Sequence, residues 1–290
     1  MIRLADLPPL REVIRRHGLS ARKELGQHFL LDANLTDRIA HAARRRHEAD
    51  LSAGTVIEVG PGPGGMTRSL LRLNARVLAL EVDPRALGAL TELQTAAPER
   101  LVIVEVDALT ADIQTLAAKH GLPPPYRIVS NLPYNIGTLL LLQWLRRLDK
   151  LEHLVLMFQK EVADRLVSTP GSKSYGRLSI LTQWLCVTER LFNVHAASFT
   201  PPPKVASSVV SLRPRRTPLA PARMETLERI TAAAFGQRRK MLRQSLKSIM
   251  PNPSTLLTAA NIDPMSRAEV LSVADFCAIA RQVNGKADRS

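Results

Sequence analysis

The strongest constraint on the fold of this chain is a repeated switch between two hydrophobic patterns across residues 34–165. Short apolar runs occur at Thr55–Val59, Arg76–Glu81, Leu101–Asp107, Tyr126–Asn131 and His153–Phe158, and each reads as a buried strand. Between them, segments such as 65–73, 84–94 and 136–148 carry apolar residues at helical spacing. Strands alternating with helices predict a mostly parallel sheet with helices on both faces, an α/β fold. Two further β-rich stretches, Leu185–Val194 and Val205–Leu212, are compatible with an antiparallel edge. Arg213–Pro221 is rich in Pro and Arg and reads as a linker. Beyond it the pattern is helical to the end, with breaks expected at Pro251, Pro253 and Pro264. The expected organisation is a basic N-terminal extension over 1–24, an α/β domain over 25–215 and a small helical domain over 216–290.

Several classes are disfavoured by composition. With 290 residues and 45% hydrophobic content, the chain can bury a sizeable core. No apolar run is long enough to suggest a membrane span. The N-terminus lacks a secretory apolar region, and Asp6, Glu12, Pro8 and Pro9 argue against a mitochondrial presequence despite its arginines. Two distant cysteines, Cys186 and Cys277, are too few for a disulfide scaffold or a zinc site and fit a reducing compartment. The net charge of +14 is unevenly spread. Residues 25–200 hold nineteen Lys/Arg against seventeen Asp/Glu, whereas residues 201–290 hold fifteen against six. The excess concentrates in Gln237–Lys247, at Arg238, Arg239, Lys240, Arg243 and Lys247. A polyanion partner accounts for such clustering better than a face serving solubility alone.

The first predicted strand runs into EVGPGPGG (Glu58–Gly65) and then a helix. Glycines there let a ligand approach the backbone and leave helix N-terminal amides available. The spacing is ambiguous: Gly60, Gly62 and Gly65 fit G-x-G-x-x-G, while Gly60, Gly62 and Gly64 fit G-x-G-x-G. Either points to an adenosine-containing ligand. The second strand ends in Glu81, 21 residues after Gly60, where a carboxylate can accept from both ribose hydroxyls of a nucleoside. The third ends in Asp107, placed to receive an amino group from adenine.

The fourth strand ends in NLPYN (Asn131–Asn135) and decides between the alternatives. Adenine's exocyclic nitrogen is a poor nucleophile because its lone pair is delocalised into the ring. The Asn131 side-chain oxygen and the Leu132 carbonyl can both accept from that amine, holding the lone pair out of conjugation. Pro133 restricts Leu132 to an extended conformation and so fixes where its carbonyl points. Tyr134 can stack on an extruded base. The electrophile would be the sulfonium methyl of S-adenosylmethionine, with alignment supplying most of the catalysis.

These segments together resemble the KsgA/RsmA family of ribosomal RNA adenine dimethyltransferases. The matching motifs are GQHFLLD (Gly26–Asp32), EVGPGPG (Glu58–Gly64), LEVD (Leu80–Asp83), DAL (Asp107–Leu109), NLPYNI (Asn131–Ile136), FQKEVADRL (Phe158–Leu166), SYGRLS (Ser174–Ser179) and FTPPPKVASSVV (Phe199–Val210). They cover Gly26 to Leu212, and FGQRRKMLRQSL (Phe235–Leu246) is similar to the family's C-terminal region. The resemblance implies a Rossmann-like class I methyltransferase domain followed by a small all-helical RNA-binding domain. It implies S-adenosylmethionine as methyl donor, held at His28, Leu30, Gly60, Gly62, Glu81, Asp107 and Asn131, without a metal. It implies catalysis by Asn131, Leu132, Pro133 and Tyr134, with Phe199 stacking on the base opposite Tyr134. The substrate would be two adjacent adenosines in the hairpin loop near the 3′ end of 16S ribosomal RNA, each N6,N6-dimethylated during late assembly of the 30S subunit. RNA would be held by Arg238, Arg239, Lys240, Arg243 and Lys247. A cytoplasmic monomer with no membrane association is expected.

His28 stands where the family commonly has Asn. Both can hydrogen-bond the cofactor's methionine moiety, so binding is expected to survive. Two other classes compete with the enzyme. An assembly factor that kept the fold but lost activity would have no need of an intact NLPY and Glu81. A nicotinamide dehydrogenase would leave NLPY and the basic C-terminus unexplained. Resistance methyltransferases of large-subunit RNA share NLPY, but FTPPPKV and the basic helical region favour the small-subunit enzyme.

Overall fold

The computed structural model describes residues 3–22 and 24–287, the last four as backbone. The chain divides into two compact units, Met1–Ala163 with Glu189–Arg213, and Asp164–Thr188 with Pro214–Ser290.

In the first unit the elements run α1 (Leu10–Arg16), β1 (Phe29–Leu30), α2 (Ala33–Ala42), β2 (Thr55–Val59), α3 (Gly65–Arg72), β3 (Val77–Glu81), α4 (Pro84–Thr95), β4 (Leu101–Glu105), α5 (Ile113–Lys119), β5 (Tyr126–Asn131), α6 (Gly137–Leu145) and β6 (Leu151–Gln159). In chain order there follow α7 (Lys160–Val167), which crosses into the second unit, α8 (Arg177–Leu185), which belongs to the second unit, and then β7 (Cys186–Val194), β8 (Phe199–Thr200) and β9 (Ser207–Pro214). The main sheet has strand order β4-β3-β2-β5-β6-β9-β7. β2 pairs in parallel with β3 and β5, β3 with β4, and β5 with β6, while β9 runs antiparallel to β6. Every residue of β2 and of β3 is buried, as expected of a parallel sheet covered on both faces. The first central strand is β2; the chain then builds outward through β3 and β4, and returns to β2's other side with β5. That reversal opens a crevice beyond the C-terminal ends of β2 and β5.

Local chemistry sets the element starts. Asp32 caps α2 by accepting from the amides of Asn34 and Leu35, and Asp83 caps α4 through Arg85, with Pro84 at the first helical position. The N-terminal segment is not a free basic arm. Val13 and Leu19 are buried against Phe29, Ala86 and Ala89, and Arg68 donates to the Pro8 carbonyl at 2.7 Å. Within residues 1–24, Met1, Ile2 and Lys23 lie outside the described residues.

The second unit holds α8, α9 (Met224–Gly236), α10 (Leu242–Ser245), α11 (Pro253–Ala259) and α12 (Val273–Ala287). Its core includes Tyr175, Leu227, Ile230, Leu246, Leu257, Phe276 and Ile279. Phe235 packs against both Tyr175 and Phe276, with ring centroids 6.1 and 5.8 Å away. The expected boundary near residue 215 lies between Arg213 and Pro214, but residues 164–188 also join the helical unit. Their apolar side chains, among them Tyr175 and Trp184, are buried in that unit's core. Pro253 does not break a helix as expected; it opens α11, because the first helical position needs no N–H donor. The expected helix to the chain's end is seen through Ala287, and residues 288–290 lie outside the described residues. Among the described residues no helix is long and apolar enough to cross a membrane.

Candidate active site

A cleft with an empty volume of about 880 Å³, partly open to solvent, lies at the crevice. Its walls come from the Leu25–Leu30 segment, the Glu58–Met66 turn, the end of β3 at Glu81 and Val82, the Val106–Ala108 loop and Asn131–Tyr134. The structure thereby brings together His28, Leu30, Gly60, Gly62, Glu81, Asp107, Asn131, Leu132, Pro133 and Tyr134.

The glycine turn uses both readings of its spacing. Gly64 has φ 86°, a left-handed conformation at the start of α3 that side chains avoid. Gly65 is needed for space, since a Cβ there would stand 2.9 Å from the Leu30 carbonyl oxygen. Gly60 and Gly62 also have positive φ and line the cleft.

Glu81 is 3% exposed, and its carboxylate is held by three backbone amides. Oε2 accepts from Gly62 at 3.0 Å, and Oε1 accepts from Val82 and Asp83, both at 2.9 Å. Burial pushes its pKa up, and the three amides act in the opposite direction. A carboxylate offers about four lone-pair positions, so one on Oε2 is left for a ligand hydroxyl. Asp107 is more exposed, and its Oδ1 accepts from the Leu109 amide at 2.9 Å. Among the described residues no donor reaches its Oδ2.

Asn131 terminates β5. Its Nδ2 donates to the His28 carbonyl at 3.0 Å. A carbonyl can only accept, so this contact fixes the amide orientation and makes Oδ1 the free acceptor. The loop that follows is closed by the Ile136 and Gly137 amides donating to the Pro133 carbonyl at 3.2 and 3.0 Å. Tyr134 is half-buried, and its hydroxyl shares a hydrogen bond with Ser207 Oγ. Burial raises its pKa, with the serine acting against that shift. The His28 ring lies 5.3 Å from the Tyr134 ring, and His28 Nδ1 donates to the Pro201 carbonyl at 2.8 Å.

Phe199 is placed differently from the expectation. It is 3% exposed and belongs to the apolar core with Leu30, Val155, Met157 and Val209. The His28 ring meets it nearly edge-on, 6.4 Å between centroids, so the ring nearest Tyr134 is His28. The pairing of Leu30 with Phe199 between β1 and β8 draws this aromatic inward.

Four side chains that the sequence did not single out also matter. Glu58, 2% exposed, lines the cleft, and its pKa is pushed up to about 8, chiefly by burial. Its Oε2 accepts from Thr67 Oγ1 at 2.7 Å. An acid inside the apolar run TVIEV was the available signal. Gln27 bridges the Arg22 amide and Asp83 Oδ2, and Asn135 donates to the Glu24 carbonyl, so both tie down the segment that covers the cleft. Ser207, fully buried on β9, had only its place in a Ser-Ser pair to mark it.

The basic cluster of the helical unit is not uniform. Arg239, Lys240, Arg243 and Lys247 are exposed, and among the described residues no carboxylate pairs with them. Arg238 differs: its Nε donates to Glu269 at 2.8 Å and its guanidinium to the Ser172 carbonyl at 3.1 Å. That arginine braces the unit through an acid and a backbone carbonyl. Among the described residues no group of His, Cys, Asp and Glu could hold a metal ion.

Comparison with known proteins is consistent along the whole length. The family model described as ribosomal RNA adenine dimethylase matches residues 18–284. The chain is 60% identical, over 98% of its length and 97% of the relative's, to ribosomal RNA small subunit methyltransferase A of Paramagnetospirillum magneticum. It is 56% identical to the protein of that name from Rhodospirillum rubrum, covering 96% and 93% of the two chains. Among solved structures, a dimethyladenosine transferase from Plasmodium falciparum superposes with a TM-score of 0.72 at 25% identity, over 90% of this chain and 98% of that one. The 23S rRNA methyltransferase ErmE gives 0.63 at 28% identity, over 88% and 99%.

Proposed function

This chain belongs to the ribosomal RNA adenine dimethylase family, and from that premise we propose that it dimethylates the exocyclic amines of two adjacent adenosines in the 3′-terminal hairpin loop of 16S ribosomal RNA. The observation that carries the reading is the state of Asn131. Its amide is oriented by the His28 carbonyl so that Oδ1 remains an unpartnered acceptor beside Leu132-Pro133-Tyr134, in the cleft that Glu81 and Asp107 also line. An acceptor with no internal donor suits an amine brought in by a substrate.

The residues fit S-adenosylmethionine, which when bound supplies an electrophilic methyl on sulfonium sulfur. Glu81 would accept from the ribose, Asp107 Oδ2 from the adenine amine, and the Gly60–Gly62 turn would lie against the remainder. The backbone of His28 and Leu30 would complete the wall. Asn131 Oδ1 and the Leu132 carbonyl would draw the target amine's protons away from the ring plane, freeing its lone pair. Tyr134 would carry the base on its ring face. No acid–base residue is needed to activate the amine; the protonated product nitrogen is acidic enough to release its proton to solvent. Rate enhancement then comes from alignment within a pre-set cleft.

Arg239, Lys240, Arg243 and Lys247 would supply phosphate contacts that hold the RNA irrespective of sequence. The reading includes cytoplasmic action on the assembling 30S subunit as a monomer. Incubating the protein with labelled S-adenosylmethionine and undermethylated small subunits, then mapping modified bases, tests it. Label confined to two neighbouring adenosines near the 3′ end is expected. Label in large-subunit RNA, or none, would overturn it.

A further inference from the structure

β9 carries two adjacent serines, Ser207 and Ser208, both fully buried. They pair across to Gln159 and Phe158 of β6. Successive strand residues face opposite sides of a sheet, and the two hydroxyls accordingly find different partners. Ser208 donates to Asn193 Oδ1 at 2.8 Å. Ser207 bonds the Tyr134 hydroxyl, while Ser211, four residues on and on Ser207's side, bonds His153 Nε2 at 2.8 Å. The Asn193 and His153 contacts lie away from the cleft. Ser207 reaches a residue of its wall.

Tyr134 is thereby held at two ends. Its backbone follows the Pro133 turn, closed by the Ile136 and Gly137 amides. Its phenol oxygen is fixed by a serine on a fully paired strand of the main sheet. A ring held at both ends cannot swing about its side-chain bonds. A stacked base takes its plane from the ring it lies on, so the ring's tilt sets where the amine points relative to Asn131 Oδ1.

We propose that Ser207 is a positioning residue for methyl transfer, acting through the Tyr134 hydroxyl to fix the plane of the acceptor base. The inference rests on the reading of Tyr134 as the base's platform. It has a consequence for the two successive transfers. In each, a methyl leaves sulfonium sulfur for the amine nitrogen, and that nitrogen releases one proton. The unmodified amine has two hydrogens and can engage both Asn131 Oδ1 and the Leu132 carbonyl. The monomethylated amine has one and can engage only one of them. Its alignment depends more on stacking, so a loosened platform impairs the second transfer more than the first.

Ser207→Ala removes the hydroxyl with little change in volume, and Tyr134→Phe removes the other partner while keeping the stacking face. The full-length variants are assayed on undermethylated small subunits at saturating S-adenosylmethionine, with mono- and dimethyladenosine resolved by mass spectrometry. Both variants should lower kcat on the order of tenfold or more, since displacements of about 1 Å can slow an aligned reaction a hundredfold. Both should accumulate monomethyladenosine, with KM for S-adenosylmethionine and the subunit Kd unchanged. Adding Ser207→Ala to Tyr134→Phe should lower kcat no further, because the shared bond is already gone. Multiplying defects in the double variant, or a wild-type product ratio in Ser207→Ala, would overturn the inference. So would parallel loss of kcat, Kd and thermal stability in Ser207→Ala, which would make the serine a purely structural group. Tyr134→Ala separates this from the parent reading: if loss of the ring leaves turnover intact, the platform itself is wrong.

Discussion

Glu58 offers a measurement of how far the cleft floor departs from water. The side chain is 2% exposed, has one hydroxyl donor in Thr67, and faces the charge of Glu81. Burial is the largest cause of its raised pKa, Glu81 adds to it, and Thr67 opposes it; the value moves from an ordinary 4.5 to about 8. The folded state therefore holds a proton that the unfolded state gives up above about pH 4.5. Where the folded state binds more protons, stability falls as pH rises. The stability associated with a protonated Glu58 is fully present below the unfolded pKa and is lost as pH climbs through the window to about 8. The limiting slope for one proton is about 1.4 kcal/mol per pH unit, so about 2–3 kcal/mol should be lost between pH 5 and pH 7. Glu58→Gln keeps an acceptor for Thr67 and removes the ionisation. Urea denaturation of the ligand-free protein at pH 5, 6, 7 and 8 would show wild type losing ground against the variant at each step. The raised pKa of Glu81 adds a slope of the same sign to both proteins, so the difference reports Glu58 together with its coupling to Glu81. A constant difference between wild type and Glu58→Gln across this range would refute the reasoning, because it would mean the carboxyl is ionised in the fold.

Three further outcomes are expected. Asn131→Ala should lower turnover on the order of a hundredfold at saturating S-adenosylmethionine while RNA affinity holds, since the lost contact belongs to the aligned amine; parallel loss of binding in a filter assay would make Asn131 a turn residue instead. Glu81→Ala should weaken S-adenosylmethionine binding at least tenfold by calorimetry, because hydrogen bonds to a charged group contribute about 1.5–3 kcal/mol each; unchanged affinity would remove Glu81 from the ribose. Neutralising Arg239, Lys240, Arg243 and Lys247 should reduce the slope of log affinity against log salt by about 0.7–0.9 per lost contact, whereas Arg238→Ala should mainly lower the melting temperature of the helical unit, a contrast that salt titration and calorimetry together resolve.

Position along the strands was readable because a parallel sheet writes itself as continuous apolar runs, and the residues that end those runs fall at one edge. Glu81, Asp107 and Asn131 were placed in a common cleft by that logic, which needs only strand direction and the point where strand order reverses. What the sequence could not show was depth. Phe199 and Glu58 each sit on short strands whose burial is decided by what packs on them: β8 pairs with the distant β1, and Glu58 bonds Thr67 of the helix that begins seven residues later. The family resemblance implies a stacking role for Phe199 and the strand pattern gives Glu58 no role, whereas the fold buries the first and keeps a proton on the second. The basic cluster is uneven for a related reason. Arg238 and Arg239 are equivalent in sequence, but Glu269, 31 residues on, takes one of them into an ion pair. Charge counts predict a polyanion partner from the sum, whereas the individual contacts depend on which arginines the fold has already used.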